Sequence, residues 1–282
     1  MSRWTVAAPR VLDVEPVRVV RVRAVAGIVD VVGTDGPAHL EITAIEGPPL
    51  RVRHDAASGE LTVDYEDLAR KGPKHWFDRR VRGRSCAVSL AVPWDCAIDL
   101  GVLSAHTTVS GVHGAVTVRT VAGGVTLVGL TGAVDVGTVA GSVEAESLAG
   151  DVRVATVSGD LTLVEGTGGR VRAQSVSGAM VMDLDAFGRN DVQLATVSGA
   201  LTVRLPHDGD VDVDVRSSGG TVGSAFAGLN VRSGFGTSRL VGTLGEGTGR
   251  LRINSASGDV ALLRRPAPDP GRKGKSLTSS PS

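Results

Sequence analysis

Aromatic residues are scarce in this 282-residue chain, which contains three tryptophans, one tyrosine and four phenylalanines. A typical globular core draws much of its buried area from aromatic side chains. Val, Leu, Ile and Ala must therefore fill the interior, which excludes a large aromatic-rich core. Aliphatic side chains of this size suit a narrow interior in which similar residues stack in successive layers.

Net charge is also absent, because 30 basic residues balance 30 acidic residues. A neutral chain has no overall electrostatic attraction to nucleic acid or to an anionic lipid surface. We therefore predict no nucleic-acid partner and expect any contact with anions to come from a local patch. An anionic membrane surface is accordingly a weak candidate partner.

Cysteine is limited to Cys86 and Cys96, which are too few for a disulfide framework in a chain of this length. Both lie in the segment SCAVSLAVPWDC, and a turn at residues 93–95 would bring them together. A disulfide and two buried thiols both fit this pattern, and we favour the buried thiols.

Long apolar runs are missing as well. No segment reaches the roughly 20 apolar residues that cross a bilayer as a helix. The N-terminal segment, MSRWTVAAPRVLDVEP, lacks the basic start and apolar stretch of a secretory signal peptide. These observations predict a soluble, cytoplasmic protein, with surface association left open.

Glycine is abundant, with 38 residues, and marks an internal repeat. Six pentapeptides start nine residues apart, from Gly114 to Gly159: GAVTV, GGVTL, GAVDV, GSVEA, GDVRV and GDLTL. Longer phrases recur at twice this period or slightly more, as TVAG at 138–141 and TVSG at 156–159 and 196–199. The double period predicts a coil of about 18–20 residues with two short strands and two turns.

The fold class predicted from this repeat is all-β, a β-solenoid or β-helix-like stack with Gly, Ser and Thr in its turns. Apolar and polar residues alternate within each pentapeptide, so one strand face points inward and the other outward. The alternative is a β-sandwich with Gly-rich hairpins. It is disfavoured because residues 101–186 contain no Phe, Tyr or Trp.

Three regions are expected along the chain. Residues 1–100 read as an N-terminal β region that forms either the first coils or a cap. Residues 101–263 form the repeat solenoid. Residues 264–282 are rich in Pro, Ser and Lys, with almost nothing to bury, and are predicted to be a disordered tail.

Three segments carry a resemblance to a known family: PRVLDV at 9–14, GIVDVVGTDGPAHLEIT at 27–43 and TVSGDLTL at 156–163. The chain resembles the DUF4097 group, common in actinobacteria, whose members carry the label "putative adhesin". The resemblance runs from about Val11 to Leu263. It implies a β-solenoid-like stack and no catalytic residues that could be carried over to this sequence.

A basic segment with two adjacent aromatic residues stands out from the repeat. It predicts a loop that docks onto a protein partner, with the aromatic side chains as anchors and the cations against an acidic surface. The alternative is a solvated hairpin whose arginines pair with Asp64, Glu66 and Asp67. The predicted contact residues are Arg70, Lys71, Lys74, Trp76, Phe77, Arg79, Arg80, Arg82 and Arg84.

Metal and catalytic motifs are not found in the sequence. Asp210, Asp212 and Asp214 share one strand face, but carboxylates two residues apart lie roughly 7 Å from each other, so a solvated acidic edge is favoured over a Ca²⁺ site. The histidines are scattered, and no HExxH, CxxC, GxSxG or Walker sequence occurs. We therefore predict no enzyme activity, no cofactor and no metal.

A non-enzymatic scaffold of the adhesin type, which binds a protein through a solenoid face or the basic loop, is the leading functional hypothesis. The alternative is a structural protein that stacks end to end into filaments, and a polysaccharide-acting β-helical enzyme is a weaker third. Capping of the solenoid ends separates the first two. Residues 1–24, with Trp4, and the pair Phe226 and Phe235 are the candidate caps.

Overall fold

The computed structural model describes residues 1–66, 83–166, 169–184, 190–206, 209–234 and 236–265. Every element whose bounds it gives is a β-strand, and all 24 strands belong to one continuous hydrogen-bonded system. None of the residues in these ranges belongs to a helix that is long and apolar enough to cross a bilayer. The predicted all-β class is confirmed.

The described part of the N-terminal third contains eight strands, two of which are much longer than the others. They are β1 (Ser2–Val6), β2 (Arg10–Val14), β3 (Val19–Thr34), β4 (Ala38–Glu46), β5 (Leu50–Asp55), β6 (Glu60–Asp64), β7 (Ser85–Pro93) and β8 (Ala97–Ser110). The glycine repeat supplies β9 (Val116–Ala122), β10 (Val125–Val128), β11 (Val134–Ala140), β12 (Val143–Glu146), β13 (Val152–Ser158), β14 (Leu161–Gly166), β15 (Arg170–Ser177), β16 (Met180–Leu184), β17 (Asp191–Thr196) and β18 (Leu201–Leu205). The C-terminal part contains β19 (Val211–Ser217), β20 (Val222–Ser224), β21 (Asn230–Gly234), β22 (Thr237–Leu244), β23 (Gly249–Ser255) and β24 (Val260–Arg264).

Two walls of parallel strands form the solenoid, and each coil of the repeat adds one strand to each wall. Wall A contains β9, β11, β13, β15 and β17, and wall B contains β10, β12, β14, β16 and β18. Val134 lies opposite both Val116 and Val152, so the first coils are 18 residues long. Val171 and Val192 follow at offsets of 19 and 21 residues. The predicted two-strand coil is confirmed, and one coil is slightly longer than expected.

The N-terminal region continues both walls. β3 and β8 each cross from wall A to wall B and pair in parallel, with Val20 opposite Ile98 and Val29 opposite Thr107. Wall A extends through β6, β5 and β1, and wall B through β7, β4 and β2. The outer pairings in both walls are antiparallel. This region therefore provides both a first coil and an antiparallel closure, while a domain boundary at residue 100, which lies within β8, stays a prediction.

Strand order in space departs from chain order near the C-terminus. β23 and β24 pair directly with β17 and β18, and β19 and β20 lie on their far side, all in parallel. β22 then pairs antiparallel with β19, and β21 with β22, which ends wall A. Phe226 is buried, with the Arg264 guanidinium carbon 5.2 Å from its ring centre. Phe235, the other predicted cap residue, lies outside the described residues.

The core lies between the two walls and consists of aliphatic rows. In wall B, for example, Val143, Leu161 and Met180 lie in register on successive strands, and all three are buried. The residues between them point outward, as the alternating pattern predicts. Stacked aliphatic rows thus replace the aromatic core that the composition excludes.

A ladder of buried hydroxyl groups lines the ends of seven wall A strands: β9, β11, β13, β15, β17, β23 and β19. Its bonding differs from rung to rung: Thr120 Oγ1 donates to the Ala122 carbonyl at 2.8 Å, whereas Thr138 and Thr156 Oγ1 have no hydrogen-bond partner among the described residues. The ladder, in register, is Thr120, Thr138, Thr156, Ser175, Thr196, Ser255 and Ser217.

Glycine allows the coils to stack closely at the corner that follows this ladder. A Cβ atom on Gly141, Gly159 or Gly178 would lie closer than 3.0 Å to the carbonyl oxygen of the matching glycine in the preceding coil. Gly132 and Gly150 repeat this arrangement at the opposite corner. Because the obstacle is backbone, a side chain at these positions would force neighbouring coils apart. The glycine period is thus the sequence signature of two stacked corners in each coil.

Gly159→Ala is expected to lower the free energy of unfolding by about 3 kcal/mol, because the new methyl group overlaps the Gly141 carbonyl. Gly223→Ala is the matched control, since a Cβ there meets nothing within 4 Å, and we expect it to change stability by less than about 0.5 kcal/mol. Urea denaturation followed by circular dichroism measures both. Equal midpoints for the two variants would contradict the steric role of the corner.

Thr156→Val and Thr120→Val are expected to change stability in opposite directions. Thr156→Val removes a buried hydroxyl without a partner and should raise the free energy of unfolding by about 1 kcal/mol. Thr120→Val removes a donor from the Ala122 carbonyl and should lower it by about 1 kcal/mol. The denaturation midpoint of each variant, compared with that of the wild type, shows whether the substitution raises or lowers stability. A loss of stability in both variants would contradict this account.

Candidate functional site

The predicted docking loop falls almost entirely outside the described residues, and it stays a prediction. The residues concerned are Arg70, Lys71, Lys74, Trp76, Phe77, Arg79, Arg80 and Arg82. Arg84 is described, and its guanidinium carbon lies 5.5 Å from the centre of the buried Tyr65 ring. This distance is within the range of a cation–π interaction. Arg84 therefore contacts Tyr65, which directly follows β6 in the sequence.

Asp64, the last residue of β6, is held by two arginines of β5. Its buried carboxylate accepts hydrogen bonds from Arg51 Nε at 2.9 Å and from Arg53 Nη2 at 2.8 Å. The hydrogen bond to Asp64 raises the pKa of Arg51. The sequence alternative pairs Asp64 with arginines of the basic segment, and because most of that segment lies outside the described residues, this alternative stays a prediction.

The outer face of wall A carries rows of charged side chains, because every second residue of each strand points outward. Towards the N-terminal end these charges pair: Arg23 contacts Asp99 at 2.6 Å. Towards the C-terminal end, Asp214 contacts Arg216 at 2.7 Å and Arg239 at 3.3 Å. The carboxylates of Asp99 and Asp214 are therefore both paired with arginines.

A groove of about 300 Å³ lies between these two ends, and we call it the arginine groove. Arg153 on β13 and Arg172 on β15 lie opposite each other in register. Among the described residues, neither guanidinium has a carboxylate oxygen within the 4.0 Å of a salt bridge. Arg170, Ala115 and Ala133 also line the groove. Two like charges thus face each other across neighbouring strands.

The carboxylates beside this groove are bonded to other groups. Asp135 lies in register with Arg153, but it accepts a hydrogen bond from Arg119 Nη2 at 2.6 Å. Asp151 accepts a hydrogen bond from the backbone N–H of Arg170 at 2.8 Å. Arg153 is exposed and Arg172 is half-buried, and neither has a carboxylate partner among the described residues.

Sequence reasoning missed this groove, although a signal was present. GDVRV at 150–154 and GRVRA at 169–173 supply successive strands of wall A, with arginine at the same position of the pentapeptide. Because the two strands stack in register, the two arginines become neighbours on the outer face of wall A. The other copies between residues 114 and 163 carry Thr, Asp or Glu there, so the pair is a local feature.

The acidic strand β19 is not the edge strand that the sequence favours, because it pairs with β22 on one side and with β23 on the other. Its valines are buried, and its aspartates point outward. Asp210 accepts a hydrogen bond from Thr248 Oγ1 at 2.8 Å, and the hydrogen bond from Arg216 lowers the pKa of Asp214. Within the described ranges no three His, Cys, Asp or Glu side chains form a cluster that could hold a metal ion.

A row of exposed valines follows the corner between the walls, one in each of four coils. Val139, Val157, Val176 and Val197 are each between 46% and 50% exposed. Serine hydroxyls of the next coil donate to the carbonyl groups of the first three valines, at 3.2–3.3 Å. This valine row is a second periodic feature of the surface, beside the charged face of wall A.

Both cysteines are buried free thiols, so the disulfide alternative is not the one found. Burial raises the pKa of the Cys96 thiol to about 11, and burial likewise raises the pKa of Cys86. A thiol with so high a pKa holds almost no thiolate, the reactive form, at neutral pH. The environment of these cysteines therefore raises the thiol pKa, whereas that of a nucleophilic cysteine lowers it.

Neither thiol is expected to react with 5,5′-dithiobis(2-nitrobenzoic acid) at pH 7.5 while the protein is folded. Both should react once urea exposes them, which gives two thiols per chain without a reducing agent. Absorbance of the released thionitrobenzoate measures the count. Rapid labelling of the folded protein, or fewer than two thiols after unfolding, would contradict the assignment as inert buried thiols.

Three solved structures are similar to the chain over most of its length. A "putative cell adhesion protein" from Clostridium sporogenes ATCC 15579 is 12% identical, with a TM-score of 0.28, and the alignment covers 91% of this chain and 100% of that one. A "putative adhesin" from Bacteroides fragilis NCTC 9343 is 12% identical with a TM-score of 0.42, covering 93% and 97% of the two chains. A "putative lipid binding protein" from Parabacteroides distasonis ATCC 8503 is 11% identical with a TM-score of 0.43, covering 91% and 97%. Similarity at this level carries no inference about function.

A search of curated proteins gives no match to this chain. The family model described as Toastrack DUF4097 matches residues 104–263, which include strands β9 to β23 and most of β24. The match covers more than half of the sequence, and it agrees with the family suggested by the TVSGDLTL phrase. The chain therefore belongs to the Toastrack DUF4097 family.

Proposed function

We propose that this protein is a non-enzymatic interaction scaffold that binds a protein partner on the outer face of wall A. The observation that carries this proposal is the in-register pair Arg153 and Arg172. Like charges directly opposite each other on neighbouring strands destabilise a sheet. A partner that brings negative charge to the groove offsets that repulsion, so an otherwise unfavourable pair gains a role in recognition.

The scaffold around the pair suits this role. Backbone hydrogen bonds run from coil to coil on both sides of Arg153, and the glycine corners fix the spacing between coils. Side chains on wall A are therefore held in fixed rows, so a partner meets a preorganised surface. Preorganisation lowers the entropy lost on binding. An adhesin-type role belongs to the same class of interaction.

Two other predictions remain beside this proposal. The basic segment at 70–84 stays a predicted second contact, and the cytoplasmic location stays a prediction from the sequence. End-to-end assembly into filaments is less favoured. Wall A ends in the short antiparallel strands β1 and β21, and each carries an arginine, Arg3 and Arg232 respectively. Short, charged edge strands discourage pairing with another copy.

A photo-crosslinker in the full-length protein tests the proposed face. Gln193→p-benzoylphenylalanine places the probe on wall A, in register with Arg172, and Thr126→p-benzoylphenylalanine places it on the outer face of wall B. We expect one discrete adduct in extracts of the native cells from the Gln193 probe. Excess unlabelled protein should compete this adduct away.

Comparison of the two probes decides the outcome. Adducts of equal yield from both positions would indicate nonspecific contact and contradict the proposal. The absence of a competable adduct at Gln193 would also contradict it. Both variants should keep the wild-type unfolding midpoint, because both side chains lie outside the core.

A further inference from the structure

We propose that the arginine groove binds one phosphate monoester group, presented by a phosphorylated side chain of the protein partner. This inference rests on the proposed function, because it names the chemical group by which a partner on wall A is recognised. It starts from Arg153 and Arg172, which lie in register and have no carboxylate partner among the described residues.

Charge selects the monoester. Neighbouring strands of a parallel sheet lie about 4.8 Å apart, so the two guanidiniums act on the same bound group. A phosphate monoester carries about −1.5 to −2 charges near neutral pH, together with three acceptor oxygens. A carboxylate carries one charge, as does the phosphodiester of a typical membrane lipid. The monoester therefore neutralises both arginines, and its oxygens suit two forked guanidinium donors.

The surrounding charges restrict the site to a single group. Asp99, Asp135 and Asp214 lie along the same outer face, and each is already bonded to an arginine. An extended anionic surface such as a lipid bilayer would meet these carboxylates as well as the groove. One anionic group projecting from a protein reaches Arg153 and Arg172 without meeting Asp99 or Asp214. It meets the carboxylates of Asp135 and Asp151, which line the groove itself.

The shape of the groove agrees with this ligand. The small side chains of Ala115 and Ala133 and the guanidinium of Arg170 line the groove, together with the carboxylates of Asp135 and Asp151. Its volume of about 300 Å³ is roughly ten times the 30 Å³ that one water occupies in the liquid. This space holds a phosphate group and the first atoms of the side chain that carries it.

Arginine side-chain NMR on the full-length protein tests the proposal, with O-phosphoserine as the probe. In protein labelled with ¹⁵N-arginine, we expect saturable shifts of the Arg153 and Arg172 Nε–Hε signals, and none with serine. The double variant Arg153→Gln/Arg172→Gln should weaken binding by about tenfold or more. Arg232→Gln on β21 is the matched control, with the same chemical change on an exposed strand, and should leave the affinity unchanged.

A third variant is expected to change the affinity for O-phosphoserine in the opposite direction. Asp151→Asn removes a negative charge from the groove wall but keeps an oxygen acceptor for the Arg170 N–H. It should tighten O-phosphoserine binding by about twofold or more. Weaker binding by Asp151→Asn, or unchanged binding by the double variant, would overturn the proposal.

Vesicles distinguish the two sources of phosphate. Sedimentation with phosphatidylglycerol vesicles should not depend on Arg153 and Arg172. If sedimentation with the vesicles depends on these two arginines, and O-phosphoserine does not shift their Nε–Hε signals, the groove recognises a lipid surface and the proposal is wrong. The Gln193 crosslink distinguishes a failure of this inference from a failure of the proposed function. If the protein does not bind O-phosphoserine and the crosslinked adduct still forms in the double variant, the phosphate site is wrong. The proposed interaction face on wall A would then still stand.

Discussion

Close backbone contact at the glycine corners is the constraint on which the rest of the structure depends. At Gly141, Gly159 and Gly178, the space that a Cβ would occupy is filled by a carbonyl group of the preceding coil. Coils that approach so closely cannot slip along one another without a clash. The corners therefore fix both the spacing and the register of the parallel strands, and the aliphatic rows of the core follow from that register.

Fixed register also determines where polar chemistry collects. A residue at a given position in one copy of the repeat becomes the direct neighbour of the same position in the next copy. Inside the solenoid this produces the buried ladder of Thr and Ser hydroxyls, and outside it produces the valine row and the rows of charge on wall A. The residues of a functional surface on this scaffold therefore come from several coils, so a short contiguous sequence motif does not reveal it.

Closure of the ends requires strands that do not follow the repeat. At the N-terminal end, β1 and β2 pair antiparallel with β5 and β4, and at the other end the β21–β22 hairpin covers wall A. In wall A and at the N-terminal end of wall B, these antiparallel strands end the parallel stacking, whereas the described C-terminal end of wall B is the short parallel strand β20. They also leave the middle of wall A, where the arginine groove lies, as a long and regular surface.

The sequence by itself determined the coil: the glycine period and the alternation of Val with polar residues specify two short strands and two tight corners, because both rules are local. It also identified the family and the alternating faces of β19. Tertiary structure alone decided that β23 packs between β17 and β19, since strands of such similar sequence are distinguished only by long-range packing. Tertiary structure also decided where the arginine groove lies. Arg153 and Arg172 become neighbours only when their strands stack in register, and Asp135 is hydrogen-bonded to Arg119. Contacts between coils depend on register and side-chain direction, which no single strand contains.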